Sequence, residues 1–225
     1  MIIITGANRG IGNAIAKRLI QQNHKVIGLV RNPNNLEFDG IECDVTDYES
    51  IKNAYKKIKK IKKPVTGIIN VAGVASMNMA LTTDESTVQK LIQTNLVGTI
   101  YCCQILGPLL VREKKGSIIN FSTIAVPLSL RGESVYVASK AGIEGFSKSF
   151  AREMADFNIK VNCISPGPIN TELIKGVSSS NIEKIISRQI IQKQFEKDDV
   201  CNLVEVLLDD KTSSISGQIL HIGGV

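Results

Sequence analysis

Short β-branched apolar runs alternate, from end to end of the chain, with longer stretches in which apolar residues recur every three or four positions. Runs at 2–4, 26–30, 41–43, 66–70, 117–121, 160–164 and 218–222 predict seven strands, and periodic stretches at 12–22, 47–60, 84–110, 135–156 and 200–208 predict the helices between them. This alternation is the pattern of an α/β fold: a doubly wound, seven-stranded parallel sheet with helices on both faces. Thr82 precedes Glu85 by three residues, the spacing of a capping box, and marks a start for the third helix. The irregular part is 171–199, where Ser178-Ser179-Ser180 breaks the pattern before a helix carrying Ile182, Ile185, Ile186 and Ile190. An excursion there, after a late strand, predicts a substrate lid over the strand ends.

A chain of 225 residues with 43% apolar and 21% charged side chains can bury a substantial core and fits a single domain over 1–225. No apolar run approaches the roughly 18 residues of a membrane span. The opening Met1-Ile2-Ile3-Ile4 leaves no room for a basic leader, so a soluble, cytoplasmic protein without a membrane partner is expected. Cys43, Cys102, Cys103, Cys163 and Cys201 fall in apolar runs without paired ligand spacing, and His24 and His221 are the only histidines. Buried, reduced thiols and no metal site are expected. The net charge of +6 raises nucleic acid as a partner, but Lys52, Lys56, Lys57, Lys59, Lys60, Lys62 and Lys63 flank Ile51, Ala54, Tyr55, Ile58 and Ile61 at helical spacing. These lysines read as a solvated helix face in preference to a polyanion site, because aromatics, at 4%, are too few for base stacking.

Candidate chemistry begins after the first strand with Thr5-Gly6-Ala7-Asn8-Arg9-Gly10-Ile11-Gly12, followed at once by a helical pattern. Glycines there let the backbone turn tightly and approach a pyrophosphate, which meets free amides and the positive end of the helix. A plain turn is the alternative, and the position between strand and helix argues for a dinucleotide in a Rossmann fold. The second strand ends Leu29-Val30-Arg31-Asn32, with no carboxylate to bind a ribose 2′-hydroxyl. Arg31, helped by Arg9, is suited to a 2′-phosphate, which favours NADP(H); two ordinary surface arginines are the other reading. Tyr136 and Lys140, four apart in a helical pattern, share a helix face. A neighbouring ammonium favours the phenolate and brings the phenol nearer to acid–base work at neutral pH.

With Asn70-Val71-Ala72-Gly73, Asn95, Ser122-Thr123 and Pro166-Gly167, these motifs make the chain resemble the short-chain dehydrogenase/reductase family along essentially its whole length. The resemblance implies that Tyr136 is the acid/base and that Lys140 lowers its pKa and binds the nicotinamide ribose. It implies that Asn95 holds a water, that Asp44, beside Val45, contacts the adenine, and that Asn70 supports the central strand and borders the adenosine, with Ala72 and Gly73 beside it. Gly6, Asn8, Arg9, Gly10, Ile11 and Gly12 would cradle the phosphates, and Pro166, Gly167, Ile169 and Thr171 would meet the nicotinamide amide and phosphates. The catalytic serine position is Thr123, thirteen residues before Tyr136, with Ser122 the alternative. Val71 replaces the second asparagine of the family's Asn-Asn-Ala-Gly.

Within the family, Gly145-Phe146-Ser147-Lys148-Ser149 and the ending from Ile215-Ser216-Gly217-Gln218 to Gly223-Gly224 look most like the 3-oxoacyl carrier-protein reductases. A 3-oxoacyl thioester is the implied substrate. Carrier-protein docking is weakened because Lys114 matches one expected basic residue but Phe157 replaces the other. A free small-molecule ketone is the competing substrate, and a non-catalytic NADP(H) sensor is the reading from another class; retention of Tyr136 and Lys140 argues against the sensor. The resemblance also implies a homotetramer or homodimer through the two long helices, with Ile100, Ile105, Phe146 and Phe150 on that surface, unless they simply face the sheet.

Overall fold

In a computed structural model of the chain, residues 1–171 and 178–225 are described. Seven strands form one parallel sheet: β1 (Ile2–Thr5), β2 (Val26–Val30), β3 (Gly40–Glu42), β4 (Gly67–Asn70), β5 (Gly116–Phe121), β6 (Ile159–Ser165) and β7 (Ile219–His221), in the order β3-β2-β1-β4-β5-β6-β7. Ile2 and Ile4 of β1 join one buried cluster, with Ile15, Leu19, Val204 and Leu207, whereas Ile3 joins another, with Ile51, Leu106 and Leu110. Both faces of the strand are therefore dry, which is why the strands read as unbroken apolar runs. One face is covered by α1 (Gly10–Gln21) and α8 (Lys197–Leu208), the other by α2 (Tyr48–Lys60), α4 (Gly98–Glu113) and α6 (Ser134–Ala155). β1 pairs with β2 on one side and β4 on the other, so the order reverses there and a crevice opens beyond the carboxyl ends of these strands.

The predicted helix over 84–110 is a longer one, from α3 (Glu85–Leu91) through a π-helical turn at Ile92–Val97 into α4. By composition it is apolar enough to cross a membrane, with a mean hydropathy of 1.4 over 18 residues, but 56% of that window is buried in this protein. Its start is not the predicted Thr82–Glu85 box. Thr82 lies in a short 3-10 turn, Ala80–Thr82, while the Asp84 carboxylate accepts hydrogen bonds from the Thr87 amide at 2.9 Å and the Ser86 and Thr87 hydroxyls. Asp84 offers a charged acceptor nearer the helix, and it outcompetes the threonine. The same bonds hold its carboxyl down at about 2. Stability from this cap is complete above the ordinary carboxyl pKa and is lost as pH falls through 2. Asp84→Ala should therefore lower the thermal unfolding midpoint at pH 7 and lower it less near pH 2, as differential scanning calorimetry would show.

Other boundaries move for similar reasons. α8 starts at Lys197, not 200, because the Asp199 carboxylate accepts from the Glu196 amide at 2.8 Å. A short α5 (Ala125–Leu128) follows β5 without having been predicted. α7 (Ser179–Ile186) stops before Ile190, whose amide instead donates to the Gly224 carbonyl. The predicted lid over 171–199 includes 172–177, which lie outside the described residues. All five cysteines are free and buried.

Candidate active site

The glycine loop closes on itself. Gly6 and Gly10 have φ of +67° and +57°, and a Cβ on Gly12 would stand 2.5 Å from the Gly6 carbonyl oxygen. The Thr5 hydroxyl accepts the Ala72 amide at 3.1 Å, which locks the loop to the end of β4. α1 starts with Arg9 at its cap position, no side chain capping it and no acid in its first turn. Its free amides and positive end face the crevice beside exposed Asn8 and Arg9, which fits the diphosphate of a dinucleotide. Arg31 is exposed just past β2, and Asn32 caps the next turn by accepting from the Asn34 amide. Asp44 fixes its own loop, accepting from the Thr46 amide and hydroxyl at 2.9 and 2.7 Å, with Val45 buried behind it.

Asn70 supports the crevice from beneath. Its amide donates to Asn120 Oδ1 at 2.8 Å, and Asn120 in turn donates to the Ser147 hydroxyl at 2.9 Å, a buried rail across β4, β5 and α6. Asn95 sits in the π-helical turn and is fully buried. Its side chain accepts from the Val74 amide at 2.8 Å and donates to the Val74 carbonyl at 2.9 Å and to Ser139 Oγ at 3.0 Å. It therefore clamps the strand-β4 loop to α6, one residue before Lys140. Gly73 fits between the two: a Cβ there would lie 3.2 Å from Asn95 Oδ1 and 3.5 Å from Lys140 Nζ.

Tyr136, Lys140 and Thr123 meet in a cavity of about 160 Å³, which Ile11, Pro166, Gly167, Ile169 and Thr171 also line. The Thr123 hydroxyl accepts from the Ala125 amide at 3.2 Å and lies near enough to the Tyr136 phenol to ease its ionisation slightly. Ser122, which also lines the cavity, donates to Glu144 Oε1 at 2.5 Å. Lys140 Nζ donates to the Phe121 carbonyl at 2.8 Å and lies 6.0 Å from the Tyr136 ring centroid. Burial pushes Lys140 down to about 8. Burial first, and then the nearby Glu133 carboxylate, push the Tyr136 phenol well above its ordinary value, against a smaller lowering by Thr123. Desolvation of the buried phenol is the largest of these influences. Tyr136 is held as a protonated acid. Glu133, at the end of the 125–133 segment that the sequence marks as setting substrate specificity, is also on the cavity wall.

Other expected residues fall elsewhere. Lys114 and Phe157 precede β5 and β6, at the opposite strand ends from the cavity, roughly 20 Å of strand away. Phe146 and Phe150 stack with ring centroids 5.1 Å apart and, with buried Ile105, pack against the core under α4 and α6, keeping part of each ring at the surface; Ile100 is half-buried.

A family model described as Enoyl-(Acyl carrier protein) reductase matches residues 6–224. The chain is 31% identical over 236 residues to the 3-oxoacyl-acyl-carrier-protein reductase FabG of Staphylococcus epidermidis, covering 99% of this chain and 96% of that protein. Thermoplasma acidophilum aldohexose dehydrogenase, in ligand-free form, superposes with a TM-score of 0.89 at 30% identity, covering 99% of this chain and 92% of that one. ElxO with NADP bound gives 0.89 at 26% identity, covering 98% of this chain and 96% of that one. Matched along nearly its whole length in sequence as in fold, the chain belongs to the short-chain dehydrogenase/reductase family of nicotinamide-dependent oxidoreductases.

Proposed function

We propose that the protein is a cytoplasmic, NADP(H)-dependent reductase that interconverts a carbonyl and a secondary alcohol, with a 3-oxoacyl thioester as its substrate. The observation that carries this reading is the Tyr136 phenol, held protonated beside the Thr123 hydroxyl in a largely apolar cavity. The uncapped start of α1 and the Gly6-to-Gly12 cradle would hold the diphosphate, Arg31 and Arg9 the 2′-phosphate, and Asp44 with Val45 the adenine. When bound, NADPH supplies hydride to the carbonyl carbon. Thr123 donates a hydrogen bond to the carbonyl oxygen and orients it, and Tyr136 transfers its phenolic proton there, giving the alcohol. Lys140 and Asn95 hold the floor of the site and bracket Gly73, which leaves room for the ring of a nicotinamide. Similarity to an NADP-bound neighbour supports the cofactor, and similarity to a 3-oxoacyl reductase supports the substrate.

The test is purified protein with NADPH and acetoacetyl-CoA, following loss of the reduced nicotinamide absorbance. Oxidation supports the reading; none, with NADPH bound, removes the thioester. The cofactor choice is tested separately: Arg31→Asp should lower kcat/KM for NADPH by about tenfold or more while improving NADH, because a carboxylate repels the 2′-phosphate and accepts the 2′-hydroxyl. Equal preference in both proteins would remove Arg31 from the site. Glu133 in the cavity wall favours a second substrate reading, a free small-molecule ketone with polar substituents. Assembly as a homodimer or homotetramer belongs to the same proposal, supported by the part-exposed Phe146–Phe150 stack. Docking of an acyl carrier protein on Lys114 draws little support from its distance to the cavity.

A further inference from the structure

We propose that Glu133 reads the substrate: its carboxylate accepts a hydrogen bond from a hydroxyl or ammonium group on the carbon beside the carbonyl that Tyr136 protonates, so that the site selects hydroxyketones and aminoketones over ketones carrying a carboxylate there. The inference rests on the reading of Tyr136, Thr123 and Lys140 as the carbonyl-reducing group, and it deepens the second substrate reading above, the free small-molecule ketone.

Most of the cavity wall is apolar, with Val74, Met77, Ala125, Leu130, Ile182 and Ile185 among its residues. Lys140 and Glu133 are the only charged side chains lining it among the described residues. Lys140 already donates to the Phe121 carbonyl. Glu133 occupies the cap position of α6, yet its side chain makes no capping hydrogen bond, whereas Asp84 at the equivalent position of α3 caps through its carboxylate. Only the Glu133 backbone is engaged, donating to Leu130 and accepting from Val137. Among the described residues its half-buried carboxylate has neither an ion-pair nor a hydrogen-bond partner. The positive end of α6 eases the charge but leaves the oxygen lone pairs unused.

A carboxylate kept on an apolar wall at the edge of a reaction site is an arrangement whose cost is recovered only when a donor arrives. Position supplies the specificity. Glu133 at the cap of α6 and Tyr136 three residues on line the same cavity, and the carboxylate is close enough to act on the phenol, so a substituent of the ketone that Tyr136 protonates shares the cavity with Glu133. A carboxylate or phosphate at that carbon would meet a like charge.

Hydroxyacetone and butanone differ only in a hydroxyl for a methyl, and pyruvate places a carboxylate at the same carbon. With NADPH and the full-length protein, kcat/KM should favour hydroxyacetone over butanone by at least about tenfold, the worth of one hydrogen bond to a charged group. Glu133→Leu should erase or reverse that ratio. Glu133→Gln should improve pyruvate by at least about tenfold relative to wild type by removing the like charge, and it serves alone if the leucine variant does not fold. Unchanged ratios in the variants overturn the proposal. Saturation-transfer NMR of the same ketones on the protein–NADP+ complex separates recognition from chemistry. Preferential binding of hydroxyacetone that Glu133→Leu abolishes, without turnover of any ketone, upholds Glu133 and overturns the reductase reading; equal binding overturns Glu133.

Discussion

Tyr136→Phe should cut turnover by roughly 10²–10⁴-fold, the usual worth of a positioned general acid, and leave NADPH binding unchanged. The ring is buried in a cluster with Leu91 and Ala125, so phenylalanine keeps the packing. What disappears is the proton that the carbonyl oxygen must gain as its carbon takes hydride. Thr123 and the apolar wall remain, so residual activity above solution chemistry is expected. Steady-state kinetics with NADPH, paired with calorimetric titration of the cofactor, checks both halves. Turnover at the wild-type level would strip Tyr136 of its role; lost cofactor affinity would make the residue part of the binding surface.

Lys140→Met should abolish activity and at the same time stabilise the cofactor-free protein at pH 7. The ammonium is buried, with its pKa pushed down from 10.5 to about 8. Below pH 8 both folded and unfolded chains carry the proton, so the whole cost of burying the charge is present. Between pH 8 and 10.5 the folded protein releases the proton first, and stability rises with pH. Above that range the cost is gone. Its full size is on the order of 3 kcal/mol; the Phe121 carbonyl left without its donor gives back about 1 kcal/mol. A net gain of about 2 kcal/mol at pH 7, shrinking at pH 10, should appear in urea unfolding midpoints measured at the two pH values. A gain of the same size at both would assign it to packing. A buried charge on the cavity wall thus costs the resting fold stability, a trade that buried functional groups commonly make.

The strands were legible because each face of the sheet is buried, so Ile2, Ile3 and Ile4 all had to be apolar and a simple run of β-branched residues sufficed. Tyr136 and Lys140 were legible because helical spacing alone puts them on one face. The π-helical turn was not, since it is stabilised by Asn95 bonding Val74 and Ser139, partners 21 and 44 residues away. Ser122 and Thr123 were adjacent hydroxyls until Glu144 claimed one of them. Nor could spacing reveal the direction of the Tyr136 shift, because burial and Glu133 decide it and both depend on how the cavity closes. Thr82 and Asp84 both stand at capping distance from the third helix, and only the fold decides that the Asp84 carboxylate takes the Thr87 amide.

The buried thiols carry a practical consequence. With Cys43 and Cys201 pushed up to about 11 and Cys103 and Cys163 to about 12, none offers a nucleophile to an alkylating reagent while the protein is closed. Cys43, Cys102 and Cys103 belong to one side of the sheet and Cys201 to the other. Labelling rates at Cys103 and Cys201 therefore act as two clocks set by the opening of two separate layers. Equal rates would mean that the layers breathe as a unit, and unequal rates would show which one lets water in first.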